Sequence, residues 1–430
     1  MTRCSHGAGR SRTEHKAGIE RVGSSMTETA DRRRLYVAAF LRAAATGLIG
    51  VLLGLYLARR SFSAGEIGLV IGFGLSGAAG SALVATFFAD RFGRRATLLV
   101  LAGLATAGGV LLMFSGSVAA VCAVAFLGMV NGMGRDRGAQ LVIEQAILPS
   151  TIEAAARTRA FAWYNVLQDA GHALGGLLAA TPALLVGAFG VGDIAGYQAS
   201  LALYALFLAV TIGLYSGLSP AVESASRESA ATAVISAVSR RVVWRISGLF
   251  AIDSVAGGFL GTALLSYFFF ARFGTGETTI ALLFFAARIA NALSHLGAAW
   301  LARRIGLINT MVFTHIPSSL ALVAVALVPK FWMAALLFLV RELLVEMDVP
   351  TRQSYVMAVV RPAERTWASG ITSLVRMGGW AVAPFAAGFL MQGLALATPI
   401  MIGAGLKIAY DLLLFRAFRN VPPPEEQHPS

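Results

Sequence analysis

The residues best able to do chemistry in this chain lie inside apolar stretches. Gly134, Arg135, Asp136, Arg137 and Gly138 run consecutively, followed by Gln140 and Glu144. A second cluster holds Arg341, Glu342, Glu346, Asp348, Pro350, Arg352 and Gln353. Ionisable groups in hydrocarbon are costly, so they face one another or a wet cavity and mark a pathway. Arginine's planar fork matches a carboxylate or phosphate. Arg135 or Arg137 with Arg352 is therefore expected to hold an anionic solute group, with Asp136, Asp348, Gln140, Gln353 and Arg288 beside it. The alternative for the first cluster is a helix that stops at Gly134 at the membrane surface.

Other polar groups form stripes or lone pairs. Asn165, Asp169 and His172 fall on one helical face, as do Arg288, Asn291 and His295. Asp169 and Glu346, together with Asp348, are candidates to carry a coupled proton, while His172 and His295 read as sealing a helix interface. Arg42 and Asp253 occupy equivalent places at an offset of 211 and have opposite sign. They are expected either to pair as a gate when the cytoplasmic mouth is closed or, for Arg42, to reach the inner surface. Lys407 and Asp411 are i, i+4 neighbours and read as a self-neutralising pair; His315 and Pro317 read as structural.

These groups need elements to hold them, and the composition says which. Of 430 residues 57% are hydrophobic and only 13% are charged, too few to cover a water-facing surface. About 20 apolar residues cross a bilayer as a helix. That ruler gives twelve spans: 35–58, 65–89, 96–115, 118–147, 159–188, 196–216, 246–270, 277–300, 307–328, 331–360, 367–391 and 395–417. The net charge of +13 does not indicate a nucleic-acid partner, because the arginines sit at helix ends or singly within spans. Cys4 and Cys122 offer neither a disulfide framework nor metal-ligand spacing. No cofactor or metal is expected.

With the N-terminus inside, 23 Lys and Arg fall in inner segments and four (Arg59, Arg60, Arg272, Lys330) outside. Both termini are therefore expected in the cytoplasm, in the cytoplasmic (inner) membrane of the cell. The expected parts are a polar tail over 1–34 without structure, a bundle over 35–216, a linker over 217–245, a second bundle over 246–420 and a tail over 421–430. The halves repeat: Gly47 matches Gly258, Tyr56 matches Tyr267 and Gly65-Glu66 matches Gly276-Glu277 at an offset of 211. Gly93 matches Gly306 and Gln140 matches Gln353 at 213. Such repeats place a site at the midplane between the halves.

Asp90, Arg91, Phe92, Gly93, Arg94 and Arg95 follow the second span, and Arg303, Arg304 and Gly306 form a degenerate second copy. This segment resembles the loop 2–3 motif of the major facilitator superfamily, except that Thr86 stands where the motif has its first glycine. Gly93 suits a tight turn, the arginines hold it at the inner face, and Asp90 is placed to accept from a neighbouring helix start. Span five carries Gly171, Gly175 and Gly176 without the proline of the family's antiporter motif; the proline is Pro384, in span eleven. The family's span-four arginine is replaced by Gly128, while its second-half counterpart is Arg341. Gly72, Gly74 and Gly77 fit a dinucleotide pattern but lie inside a span with no preceding strand, so they read as a close helix contact.

The resemblance implies an all-α membrane protein of two six-helix transmembrane bundles related by a pseudo-twofold axis. It implies alternating-access transport of a small molecule by a monomer in the lipid bilayer, with protons as the coupling ion in one version. The balance of acids and bases suits a charged or zwitterionic organic solute, an organic anion in particular. Multidrug export, a receptor or assembly factor without transport, and a membrane enzyme are the other readings. The last would need a nucleophile–base or metal constellation, and none stands out.

Overall fold

The computed structural model describes residues 8–136, 138–152, 157–224, 236–347 and 365–418. Among them are helices and no strand. In chain order they are α1 (Ala8–Arg59), α2 (Ala64–Phe92), α3 (Arg94–Phe114), α4 (Val118–Leu127), α5 (Ala139–Ile147), α6 (Arg157–Leu178), α7 (Thr181–Phe189) and α8 (Asp193–Ser216). A short α9 (Ala221–Ser224) leads to α10 (Ala237–Phe259), α11 (Thr262–Phe273), α12 (Glu277–Ile305), α13 (Leu307–Leu327), α14 (Phe331–Val345), α15 (Arg365–Gly393) and α16 (Thr398–Phe418).

Nine helical stretches among the described residues are long and apolar enough to cross a membrane, with α6–α7 and α10–α11 each serving as one. The remaining spans of the expected twelve have visible reasons for falling short. Span four is split into α4 and α5, α12 carries Arg288 and Asn291, and α14 is described only to Val345. The polar lead departs from expectation: α1 begins at Ala8, and residues expected to lack structure continue the helix. Ala, Glu, Arg and Lys there are all good helix formers.

Packing divides by depth. At the end away from the termini one apolar cluster joins the halves, with Leu48, Leu55 and Ile67 of the first against Phe268, Phe284 and Ala387 of the second. At the terminal end the buried clusters separate. One is built on Leu35, Leu98, Tyr164 and Tyr215, the other on Val243, Phe250, Met311 and Tyr410. The halves thus share one core at the far end and keep separate cores at the terminal end, where Met377 of the second half still packs on the first.

Small residues make the fusion possible. A Cβ on Gly68 of α2 would lie 2.7 Å from the Gly388 Cα of α15. The glycines of the dinucleotide-like pattern do serve helix contact: a side chain on Gly74 or Gly77 would collide with the Val130 or Phe126 carbonyl. Without a hydrophobic drive between helices in lipid, such close backbone approach is what holds spans together.

Gly93 turns the α2–α3 corner at φ 93°, and Gly306 repeats the device at φ 83°. The acceptor at the α3 start is Glu223 of α9, which takes the Arg94 and Arg95 backbone N–H groups at 2.8 and 3.0 Å. Its carboxylate supplies the negative charge that a helix N-terminus favours, the part expected of Asp90. The Asp90 side chain lies outside the described ones. Arg91 is exposed, and the Arg94 and Arg95 guanidiniums donate to the carbonyls of Ala146 and Ser216.

Candidate functional site

Two spans lose their helix at mid-depth, and the site forms there. Between α4 and α5 the chain is unwound, with Gly134 at φ 69°, a conformation that suits glycine. The second break is Leu260-Gly261, between α10 and α11. Freed backbone groups in a membrane must find partners, and the two breaks satisfy each other across the halves. Ala263 N–H donates to Gly132 O at 2.9 Å, and Thr262 Oγ1 donates to Met133 O at 2.8 Å. Asn131 holds the loop from within, accepting from Met133 N at 2.8 Å and donating to Arg135 O at 2.6 Å. Span four therefore neither runs through as one helix nor ends at the surface at Gly134. It breaks at Leu127 and resumes at Ala139, and between them Arg135 reaches across to Glu346 of the second half.

A cavity of about 1140 Å³, counted to its open side, lies against these breaks. Asn131 and Arg135 line it from the first half, and Asp253, Arg288, Arg341, Glu342, Glu346, Arg376 and Lys407 from the second. Most of these cations are engaged. Arg135 pairs with Glu346 across the halves at 2.8 Å, Arg341 with its neighbour Glu342, and Lys407 with Asp253 at 2.9 Å. Arg376 stacks over the Trp380 ring at 4.8 Å. Arg288 differs. It donates to the Gly134 carbonyl at 3.2 Å and has no carboxylate partner among the described residues.

Arg42 and Asp253 do not meet. Arg42 is buried (1% exposed) and bonds Asp136 at 2.8 Å, the Tyr215 hydroxyl at 2.6 Å and Glu144. Glu144 also accepts from Tyr215 at 2.7 Å and from Tyr164 at 2.6 Å. Two carboxylates and the Tyr215 hydroxyl hold the guanidinium inside the first half, away from the surface, and in this structure it does not reach Asp253, a pairing expected only with the cytoplasmic mouth closed. Asp136, expected to touch solute, is part of this lock, and its backbone N–H donates to His172 Nε2 at 2.8 Å. His172 is the interior histidine its stripe indicates, whereas Asn165 and Asp169 are exposed. Gln140 is buried with its Nε2 unpartnered beside a smaller pocket that Arg42 and Asp136 also line.

The i, i+4 pair of α16 also re-forms elsewhere. Lys407 reaches Asp253, and Asp411 takes His315 Nδ1 at 2.9 Å. Arg137, Asp348, Pro350, Arg352 and Gln353 lie outside the described residues, as does the His295 side chain.

Sequence reasoning missed a link at the far end. Arg59, at the end of α1, pairs with Glu277, at the start of α12, at 2.8 Å, and Tyr197 donates to the same carboxylate at 2.7 Å. Asp193 lies 3.4 Å from the same guanidinium. The signal was the Gly65-Glu66 and Gly276-Glu277 repeat. Glu66 caps its own helix through Ser63, whereas Glu277 crosses to the other half.

Comparison with known proteins places this architecture. A curated membrane protein of Saccharomyces cerevisiae, itself uncharacterized, is 22% identical over 423 residues, spanning 91% of this chain and 94% of its own. The crystal structure of the nucleoside transporter NupG superposes with a TM-score of 0.72 at 13% identity, over 90% of this chain and 99% of that one. The crystal structure of a D-xylose-proton symporter does so with 0.70 at 12%, over 94% and 100%. The family model described as Major Facilitator Superfamily matches residues 35–341. With its repeated halves, broken mid-depth spans and glycine-turned corners, the chain belongs to the Major Facilitator Superfamily.

Proposed function

We propose that this chain is a secondary active transporter that moves a small organic solute bearing a carboxylate or phosphate, by alternating access through the cavity between its halves. The observation that carries the reading is Arg288. It is the cavity arginine whose bonding is a single one to a carbonyl, in a cavity of about 1140 Å³ counted to its open side. An anion bound there would make charge-assisted forked bonds in a low-dielectric wall. Glu342 and Glu346 line the same cavity and could take an amino group of a zwitterionic solute only in exchange for their present partners Arg341 and Arg135. On this reading the shared far-end core and the separate terminal cores belong to one of two access states. The Arg59–Glu277 bond would have to part for the other. The basic inner segments favour a cytoplasmic location for both termini. The nucleosides and D-xylose named for the solved relatives are those proteins' substrates, and the shared fold does not choose among them.

Thermal stabilisation of the purified protein by a panel of mono- and dicarboxylates, amino acids and sugar phosphates tests the reading. Tetraphenylphosphonium serves as the multidrug probe. At least one anion should stabilise wild type, and Arg288→Lys should weaken its binding by roughly tenfold or more, the worth of a lost charge-assisted bond. Stabilisation by the lipophilic cation alone, unchanged in Arg288→Lys, would overturn the anion reading.

A further inference from the structure

The second half holds a buried acid that the cavity chemistry leaves unexplained. Asp411 of α16 is 0% exposed, and its Oδ2 has no hydrogen-bond partner. Its Oδ1 meets His315 Nδ1 at 2.9 Å, and His315 Nε2 lies 3.3 Å from Lys407 Nζ. Lys407 in turn bonds Asp253 at 2.9 Å. Lys407, His315 and Asp253 line the cavity, whereas Asp411 lies behind them. The result is a bonded row from the cavity wall to a buried carboxyl group.

The first half shows what a buried carboxylate needs. Glu144 is equally buried and receives Arg42, Tyr215 and Tyr164 on its two oxygens. Every acceptor site that matters there has a donor, and the charged form is held. Asp411 has one donor, an imidazole, and its nearest cation is already engaged with Asp253. An unpartnered carboxylate oxygen in a dry site is costly, while an unpartnered carbonyl oxygen of the neutral acid costs far less.

We propose that Asp411 is a proton-binding site served from the cavity by Lys407 and His315. In the transport reading, on which this use of the site rests, Asp411 is where a coupled proton is held. The transfer balances within the row. An N–H bond of the Lys407 ammonium breaks as His315 Nε2 gains the proton, and the His315 Nδ1–H bond breaks as Asp411 Oδ1 gains its own. Ammonium and carboxylate become amine and carboxylic acid, the imidazole changes tautomer, and Lys407 regains its proton from a hydronium ion in the cavity, which leaves as water. Both imidazole nitrogens are placed for this.

The other charged groups that line the same cavity are Arg135 from the first half, Arg288 from α12, Arg341, Glu342 and Glu346 from α14 and its C-terminus, and Arg376 from α15. Tyr410 packs its ring edge-on to His315 at 6.2 Å. None of these has a bond to Asp411. The site differs from Asp169, which is exposed, and from Glu346, which Arg135 holds.

Infrared difference spectra of the purified full-length protein across a pH titration read buried carboxylic acids directly and need no solute. A protonated-carboxyl band is expected that persists in Asp169→Asn and Glu346→Gln and vanishes in Asp411→Asn. Should Asp411→Asn not fold, His315→Phe keeps the carboxyl but removes its one donor. Its band should remain and titrate at a pH shifted by about one unit, roughly tenfold in proton affinity. A band indifferent to Asp411→Asn, or one titrating identically in His315→Phe, would overturn the site. Failure here leaves anion binding at Arg288 standing, and failure of anion binding leaves the proton site standing.

Discussion

Arg42, Asp253 and Lys407 show what residue-level reasoning could and could not reach. That these charges fall within apolar spans was legible from the sequence, where an offset of 211 aligns Arg42 with Asp253. Their partners were not, because pairing depends on which helix faces which. Arg42 lies against Asp136 and Glu144 of its own half, and Asp253 against Lys407 of its own half. The exchange of Arg42 with Asp253 should therefore fail to restore a stable protein, since it puts an acid among two acids. Asp253→Asn should lower stability by about 3 kcal/mol, the cost of a buried cation losing its carboxylate. Adding Lys407→Met should recover more than half of that loss. Thermal unfolding in detergent checks the set, and a double variant as unstable as the single would contradict the pairing. At the far end Glu277 shares Arg59 with solvent, so the bond is worth less. Glu277→Gln should shift the opening equilibrium roughly fivefold, about 1 kcal/mol. An Ala79→Cys reporter in the cavity, in a background lacking Cys4 and Cys122, would then label faster from the far face. An unchanged labelling rate would show that the ion pair does not seal that end.

At the scale of elements, apolar length located the spans, and glycine spacing located the close contacts of α2. The breaks were harder to read. Gly132, Met133 and Gly134 unwind because Gly261, Thr262 and Ala263 of another span supply their backbone partners, and no local pattern shows a partner 129 residues away. The chemistry of the Arg135 segment had nevertheless marked it as the place where a helix would be expensive to keep dry. The α2–α15 contact gives the sharpest test of packing. A Cβ on Gly388 would collide with the Ala64 carbonyl and lie 2.8 Å from the Gly68 Cα. Gly388→Val should destabilise the far-end seal by about 1–3 kcal/mol, the cost of overpacking a close contact. Far-face labelling of the same Ala79→Cys reporter should rise with it. Gly370→Ala, where a Cβ would meet open space, is the control that should change neither.

For the whole molecule, two repeated halves share one apolar core at the far end and keep separate cores at the terminal end, which the proposed transport reading takes as one of two access states. The proposed orientation in the membrane rests on the basic residues, and if it holds single cysteines at Ser117 and Ser224 should label from opposite faces. Labelling of both from outside would reverse the proposed topology. The account rests most heavily on a cavity that admits a small anion and passes it across. Uptake of the radiolabelled carboxylates, amino acids and sugar phosphates into sealed proteoliposomes measures this directly, with wild type and Arg288→Ala compared at equal reconstitution. Saturable uptake of at least one anion by wild type, lost in a folded Arg288→Ala protein, is the result expected. Contradiction would come from no uptake of any panel member, or from uptake that Arg288→Ala leaves unchanged.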